Sequence, residues 1–333
     1  MKKAVCIMFG GRSEEYEVSL SSAYSVLESI DKDKYEIVKI GINKQGEFLL
    51  FNGCNEDVLN DRWELKSSAI DISPFSPTNK ILSKIHTVFP VVHGTFCEDG
   101  RLQSLFEALN VKYVGSDSHS SFLCMDKHLC KLVAKELGIK TAKFLCVSKN
   151  QPLPLKKLQK ISYPVFVKPS LSGSSRGASR VMEARELIPA INEAFKYSHK
   201  VLIEEFLTAT ECEIGVLQEK SSTVLSSVGA LSHNGAFYSY EEKYINNRTS
   251  YQIPASISNE SKNKIEKWSK SLFSAFNCRG LARIDFFVTP DNQVFFNEIN
   301  TLPGFTKNSM YPMLFKNQGY SLTRLIDTLI ENA

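Results

Sequence analysis

Leu281-Ala282-Arg283-Ile284-Asp285-Phe286-Phe287-Val288-Thr289-Pro290-Asp291-Asn292-Gln293-Val294-Phe295-Phe296-Asn297-Glu298-Ile299-Asn300 is the stretch from which the rest of the chain is read. It predicts strands at Leu281–Val288 and Val294–Ile299, joined by Thr289-Pro290-Asp291-Asn292. Strand side chains alternate, so Arg283 and Asp285 share one face, and Glu298 and Asn300 share a face of the next strand. The short connection predicts an antiparallel hairpin with these four groups along one side. An Asp, a Glu and an Asn offer hard oxygen ligands suited to Mg²⁺, and an adjacent arginine suits a developing anion. A solvated edge would present the same residues. The flanking Val, Phe and Ile argue for a half-buried hairpin instead, where a carboxylate needs a partner or a metal.

Four further constellations lie upstream. Pro164-Val165-Phe166-Val167-Lys168 runs into Ser172-Gly173-Ser174-Ser175-Arg176-Gly177, a strand-end lysine and a small-residue loop that outline a phosphate cradle. No G-K-[ST] closes the loop, so it is not the P-loop, and a plain turn explains the glycines almost as well. Lys200 to Leu207 is an apolar strand ending in Glu204-Glu205, able to offer backbone groups and a carboxylate to an adenosine, or simply a strand end. Gly10-Gly11-Arg12-Ser13-Glu14-Glu15-Tyr16-Glu17 is a strand-turn-helix without the dinucleotide fingerprint. Its acids suit a helix dipole, or one of them a substrate ammonium. Tyr238-Ser239-Tyr240-Glu241-Glu242-Lys243-Tyr244 sits in a long polar loop of the kind used as a lid, or as a solvated surface loop.

Around these, the pattern gives strands at Lys3–Phe9, Tyr35–Ile42, Thr87–Val92 and Val111–Gly115. A helix with Ser13 as N-cap carries the stripe Ala23, Val26, Leu27 and Ile30. This alternation predicts a parallel, Rossmann-like first domain. One helix is expected over Ser118–Leu137, then strands at Ala142–Val147, Tyr163–Lys168 and Lys200–Phe206 around a helix at Glu183–Tyr197. Strands at Glu211–Leu217 and Thr223–Ala230, a helix with Ile265, Trp268 and Leu272, and a last helix with Leu322, Leu325, Ile326 and Leu329 complete the chain.

The 333 residues suggest two or three domains. Hydrophobic residues make up 43% and charged residues 23%, an ordinary globular mixture that excludes disordered and collagen-like chains. The net charge of +4 is too small and too scattered to argue for nucleic acid. No apolar stretch nears the roughly 18 residues of a membrane span, and Ala4–Phe9 is too short for a secretory signal. A cytoplasmic protein is expected. None of the eight cysteines forms a C-x-x-C pair, which favours reduced thiols in the core, and the six histidines lack metal-ligand spacing.

Taken in order, the motifs resemble the D-alanine–D-alanine ligase family of ATP-grasp enzymes. They are Gly10-Gly11 with Ser13 and Glu15, His93-Gly94 with Glu98-Asp99-Gly100, Met125-Asp126-Lys127, Val167-Lys168-Pro169 with Gly173-Ser174-Ser175, Glu242-Lys243-Tyr244, Arg283-Ile284-Asp285, and Asn297-Glu298-Ile299-Asn300-Thr301 with Pro303-Gly304-Phe305-Thr306. The resemblance runs from Gly10 to the final helix. It implies a three-domain α/β and α+β architecture: an N-terminal Rossmann-like domain over 1–117 with the first D-alanine subsite, a central ATP-grasp subdomain over 118–209, and a C-terminal one over 210–333 with a lid at about 236–254.

The resemblance also implies the chemistry. ATP phosphorylates one D-alanine, the amine of a second attacks, and the dipeptide feeds peptidoglycan. Lys127 and Lys168 would contact phosphates beside Ser174 and Ser175. Glu204, Glu205 and Leu207 would lie at the adenine and Glu211 at the ribose. Asp285, Glu298 and Asn300 would hold two Mg²⁺, replaceable by Mn²⁺. Glu15, bonded to Ser174 and Tyr244, would take the first ammonium group, with His93 lining that subsite. Arg283 and the Gly304 N–H would stabilise the oxyanion, Lys243 would reach the γ-phosphate, and Ser309 would take the second carboxylate. A homodimer without membrane insertion is implied. Tyr244 argues against D-lactate as second substrate, since lactate-using members carry histidine there. Met310 favours D-alanine over D-serine, because serine-using members usually carry an arginine after the carboxylate-binding serine. Glu15-Tyr16-Glu17-Val18-Ser19 and Leu123-Cys124-Met125-Asp126-Lys127 look closer to the resistance-type ligases, so a D-alanine–D-serine ligase is the alternative. Arg176 departs from the family, where that loop position is usually small and apolar.

Overall fold

The computed structural model describes residues 2–73, 81–232 and 250–333. Three sheets frame it. The first contains β1 (Lys3–Gly10), β2 (Tyr35–Ile42), β3 (Phe48–Phe51), β4 (Ser67–Ala69) and β5 (Thr87–Val92) in the order β4-β3-β2-β1-β5. Its centre β2-β1-β5 is parallel, as the alternation of strands and helices predicts, and β3 and β4 add an antiparallel edge. The second is an antiparallel sheet of β6 (Phe144–Ser148), β7 (Val165–Pro169), β8 (Ser179–Val181) and β9 (Lys200–Glu205), ordered β6-β9-β7-β8. The third is also antiparallel. It contains β10 (Thr210–Glu219), β11 (Ser222–Ser232), β12 (Ser250–Gln252), β13 (Leu281–Val288) and β14 (Val294–Asn300), ordered β12-β11-β10-β13-β14.

The helices are α1 (Tyr16–Ser29), α2 (Asn55–Leu59), α3 (Arg101–Ala108), α4 (Ser118–Met125), α5 (Lys127–Glu136), α6 (Leu155–Leu158), α7 (Ala184–Ala194), α8 (Asn259–Ala275), α9 (Met310–Lys316) and α10 (Leu322–Glu331). Three expectations are corrected. Ser13 does not cap α1. The N-cap is Glu15, and the Ser13 hydroxyl instead donates to the His93 carbonyl at 2.6 Å, tying the first loop to the end of β5. The single helix expected over 118–137 is two, because Asp126 restarts it. Its backbone leaves the helical region at φ −84°, ψ 96°, and its carboxylate accepts the His128 N–H at 3.0 Å as a new cap. Val111–Gly115 makes only one bridge, Tyr113 to Val88, before Gly115 at φ +111° turns the chain away.

The packing follows the strand period. Val5, Ile7 and Phe9 of β1 join a core with α1 and, from the far end of the chain, Phe305, Tyr311, Phe315, Leu325 and Leu329. Cys6 and Met8, on the opposite face, join Val88, Leu102 and Phe106. Separate cores fill the second and third sheets. Six cysteines, Cys6, Cys97, Cys124, Cys130, Cys212 and Cys278, are buried and serve as small apolar fillers.

Candidate active site

A cleft of about 1250 Å³ opens where the three sheets meet. Every described residue to which the family resemblance gives a binding or catalytic role lines it except Asp285, which is 1% exposed. Lys243 and Tyr244 lie outside the described residues.

The β13–β14 hairpin forms one wall. Its register sets Arg283 opposite Asn300 and Asp285 opposite Glu298, and it does so through a β-bulge between Asp285 and Phe286 that shifts the pairing by one residue; unbroken alternation would turn Glu298 and Asn300 to the other face. Arg283 grips Asp285 with Nε and Nη2, both at 2.8 Å, and its Nε also lies 2.9 Å from Glu213. Asn300 donates to Asp285 at 3.0 Å. Burial pushes the Asp285 carboxyl above its ordinary range, with the Arg283 guanidinium pulling it back. Single carboxylate oxygens of Glu211, Glu213 and Asp285 lie within 4.8 Å of one another. Together with Glu298 and the Asn300 side-chain oxygen, this is an oxygen-rich donor set of the kind hard divalent cations take.

The phosphate-cradle wall is built from the second sheet. Lys168, at the end of β7, donates to Asn297 Oδ1 at 3.0 Å and lies 3.1 Å from Glu204. Lys127 opens α5 and lies 3.0 Å from Glu298, while its ammonium donates to the Ser172 carbonyl at 2.9 Å. Burial alone would lower Lys127, but Glu298 raises it above its ordinary value. In the loop beyond β7, Ser174 and Ser175 adopt left-handed backbone at φ 49° and 56°. Two successive non-glycine residues there are strained, and such strain clusters at ligand clamps.

That loop reaches across to the first domain. The Ser174 hydroxyl donates to Glu15, as expected, and Arg176 pairs with the preceding Glu14 at 3.1 Å. Arg176 thus has an acidic partner on the first loop. His93 is buried, which lowers its imidazole below the ordinary value and keeps it neutral near neutral pH. Its Nδ1 donates to the Leu302 carbonyl at 2.9 Å, so Nε2 accepts from the Ser22 hydroxyl at 3.2 Å. His93 thereby fixes the loop after β14. Gly304 on that loop has no room for a side chain, since a Cβ would lie 2.9 Å from Ser309 Oγ. Ser309 Oγ accepts the Thr306 N–H at 3.0 Å and stands just before α9. Met310 follows, buried beside Leu231 and Leu314. Glu205, Phe206, Leu207 and Glu211 also line the cleft.

Sequence reasoning missed three groups. Glu98 was quoted without a role, yet it lines the cleft. Burial first, then Glu15, push its carboxyl up to about 8. Glu213 braces Arg283; its position two residues after Glu211 on one strand face was the available signal. Lys131 lies one helical turn after Lys127, and its ammonium meets Glu204 at 3.0 Å.

Comparison with known proteins agrees along the whole chain. The family model "D-ala D-ala ligase N-terminus" matches residues 4–116, and "D-ala D-ala ligase C-terminus" matches 133–331. A D-alanine–D-alanine ligase of Caldicellulosiruptor bescii is 42% identical over 349 residues, covering 100% of this chain and 95% of its own. The crystal structure of the VanG D-Ala:D-Ser ligase of Enterococcus faecalis superposes with a TM-score of 0.89 at 34% identity, covering 99% of each chain. That of a Bacillus anthracis D-alanine–D-alanine ligase complexed with ATP gives 0.77 at 26% identity, covering 99% of this chain and 97% of its own.

Proposed function

The chain belongs to the D-alanine–D-alanine ligase family, and on that premise we propose that it joins two D-alanine molecules into D-alanyl-D-alanine at the expense of ATP. Its fold is the ATP-grasp architecture. The observation that carries the reading is the meeting, in one cleft, of the Glu15 carboxylate, the ammonium groups of Lys127 and Lys168, and a hairpin face that presents Arg283, Glu298 and Asn300 over the buried Asp285.

The reaction divides among these residues. Glu15, steadied by Ser174, receives the ammonium of the first D-alanine, and neutral His93 shapes that subsite. Lys127 and Lys168 draw the triphosphate in beside Ser174 and Ser175. Glu204, Glu205 and Leu207 flank the adenine, and Glu211 takes the ribose. The first carboxylate attacks the γ-phosphorus, ADP leaves, and D-alanyl phosphate forms. Ser309 binds the carboxylate of the second D-alanine, whose amine attacks the acyl carbon. Arg283 and the Gly304 N–H hold the resulting oxyanion until phosphate leaves. Two Mg²⁺, or Mn²⁺, would be held by Asp285, Glu298 and Asn300, where they neutralise charge on the transferring phosphoryl group. Lys243 and Tyr244 act from the lid in this scheme.

We place the activity in the cytoplasm, in a homodimer supplying peptidoglycan synthesis, with the three domains at 1–117, 118–209 and 210–333. Among the described residues no helix is long and apolar enough to cross a membrane. The buried Met310 offers no donor to a serine hydroxyl and favours D-alanine at the second subsite. The likeness to the VanG ligase makes D-serine the competing acceptor. One assay decides between them: the purified chain receives ATP, Mg²⁺ and equal D-alanine, D-serine and D-lactate, and products are identified by mass. D-alanyl-D-alanine as the main product is expected. Mainly D-alanyl-D-serine overturns the role given to Met310.

A further inference from the structure

Lys131 is buried in the protein, outside the lining of the cleft, with a side chain 1% exposed. Its ammonium lies 3.0 Å from Oε1 of Glu204, while that of Lys168 lies 3.1 Å from Oε2 of the same carboxylate. Two lysines therefore share one buried acid. Neither Lys131 Nζ nor Glu204 Oε1 makes a hydrogen bond of good geometry, so the contact is one of charge rather than alignment. The Lys131 ammonium also lies 5.7 Å from the centroid of the Phe144 ring. A helix position facing an interior would ordinarily hold an apolar residue, and burying a lysine is unfavourable unless something requires it.

What requires it lies on the far side of Glu204. Paired with Lys168 alone, the carboxylate would cancel the charge of the lysine that faces the cleft. Shared with Lys131, the trio keeps one net positive charge, and Lys168 is held between Glu204 and Asn297 with its ammonium in the cleft wall. We propose that Lys131 is a positioning residue that divides the charge of Glu204, so that the positive charge of Lys168 is not cancelled and its ammonium stays oriented toward the phosphates of a nucleoside triphosphate. The proposal rests on the nucleotide reading of the cleft given above.

The test uses the full chain. Wild type is first titrated with ATP and with D-alanine separately by calorimetry. A wild type that binds D-alanine but no ATP overturns the nucleotide reading itself and this proposal with it. Lys131→Met is then compared in calorimetry and in steady-state kinetics with each substrate varied. We expect ATP affinity to weaken about tenfold and the KM for ATP to rise in parallel, with the KM for D-alanine unchanged. Lys131→Arg should restore most of the loss. If Lys131→Met does not fold, Lys131→Gln is compared with wild type in its place, and the same loss of ATP affinity is expected. Unchanged ATP affinity with only a lower Tm, in whichever of the two variants folds, overturns the proposal.

Discussion

Arg283 holds Asp285 with two parallel hydrogen bonds of 2.8 Å, donated from a side chain two residues earlier on the same strand face. A fork of this kind is available to a guanidinium and not to an ammonium. Arg283→Lys therefore keeps the charge and loses the geometry. We expect kcat to fall about 100-fold, the scale of losing one oxyanion donor, while the KM for ATP changes little. Steady-state kinetics with each substrate varied checks this, and a kcat near wild type would take Arg283 out of the oxyanion role.

Glu298 sits opposite Asp285 in the hairpin and 3.0 Å from Lys127. Glu298→Gln preserves shape and removes the anionic ligand. Turnover should be largely abolished with the fold intact, as judged by circular dichroism. Near-normal activity with the same Mg²⁺ requirement would remove Glu298 from the metal-ligand role.

Glu98 gives the protein a pH signature. Burial, then Glu15, raises its carboxyl from 4.5 to about 8, so the folded chain binds that proton more tightly than the unfolded chain. Between those values the folded state retains a proton the unfolded state has lost, and the contribution of Glu98 to stability falls as pH rises. In Glu98→Gln that slope is absent. Thermal unfolding in EDTA across this range should show the Tm of wild type, relative to the variant, declining with pH. Parallel curves would refute the assignment.

Much of this was readable from the chain. The hairpin itself was legible from period-two alternation and a short connection, but not the β-bulge after Asp285 that shifts the register by one residue and brings Glu298 and Asn300 to the face of Arg283 and Asp285. Tyr35–Ile42 and Thr87–Val92 were legible as apolar runs of strand length. The break at Asp126 was hidden because apolar residues continue across it, while its cause is capping plus a bond to Lys200 at 2.8 Å, 74 residues away. The role of Ser13 is hidden for the same reason: its partner, the His93 carbonyl, is 80 residues distant. Lys131 and Glu213 stayed silent because a single spacing shows a shared face and not the acid or arginine waiting on another strand.

The first sheet shares its core with the last helices, and Lys3 and Tyr35 reach Glu331 near the chain end. This imposes a schedule on biosynthesis. β1, β2 and β5 leave the ribosome early, but Phe305, Tyr311, Phe315 and the apolar stripe of α10 leave last. At about 5–20 residues per second, the nascent N-terminal third waits tens of seconds for its final layer. During that interval α1 covers the Val5, Ile7 and Phe9 face of β1, but the apolar surface meant for the later residues stays open. Residues 305–330 act as a closing clasp on a sheet made long before them.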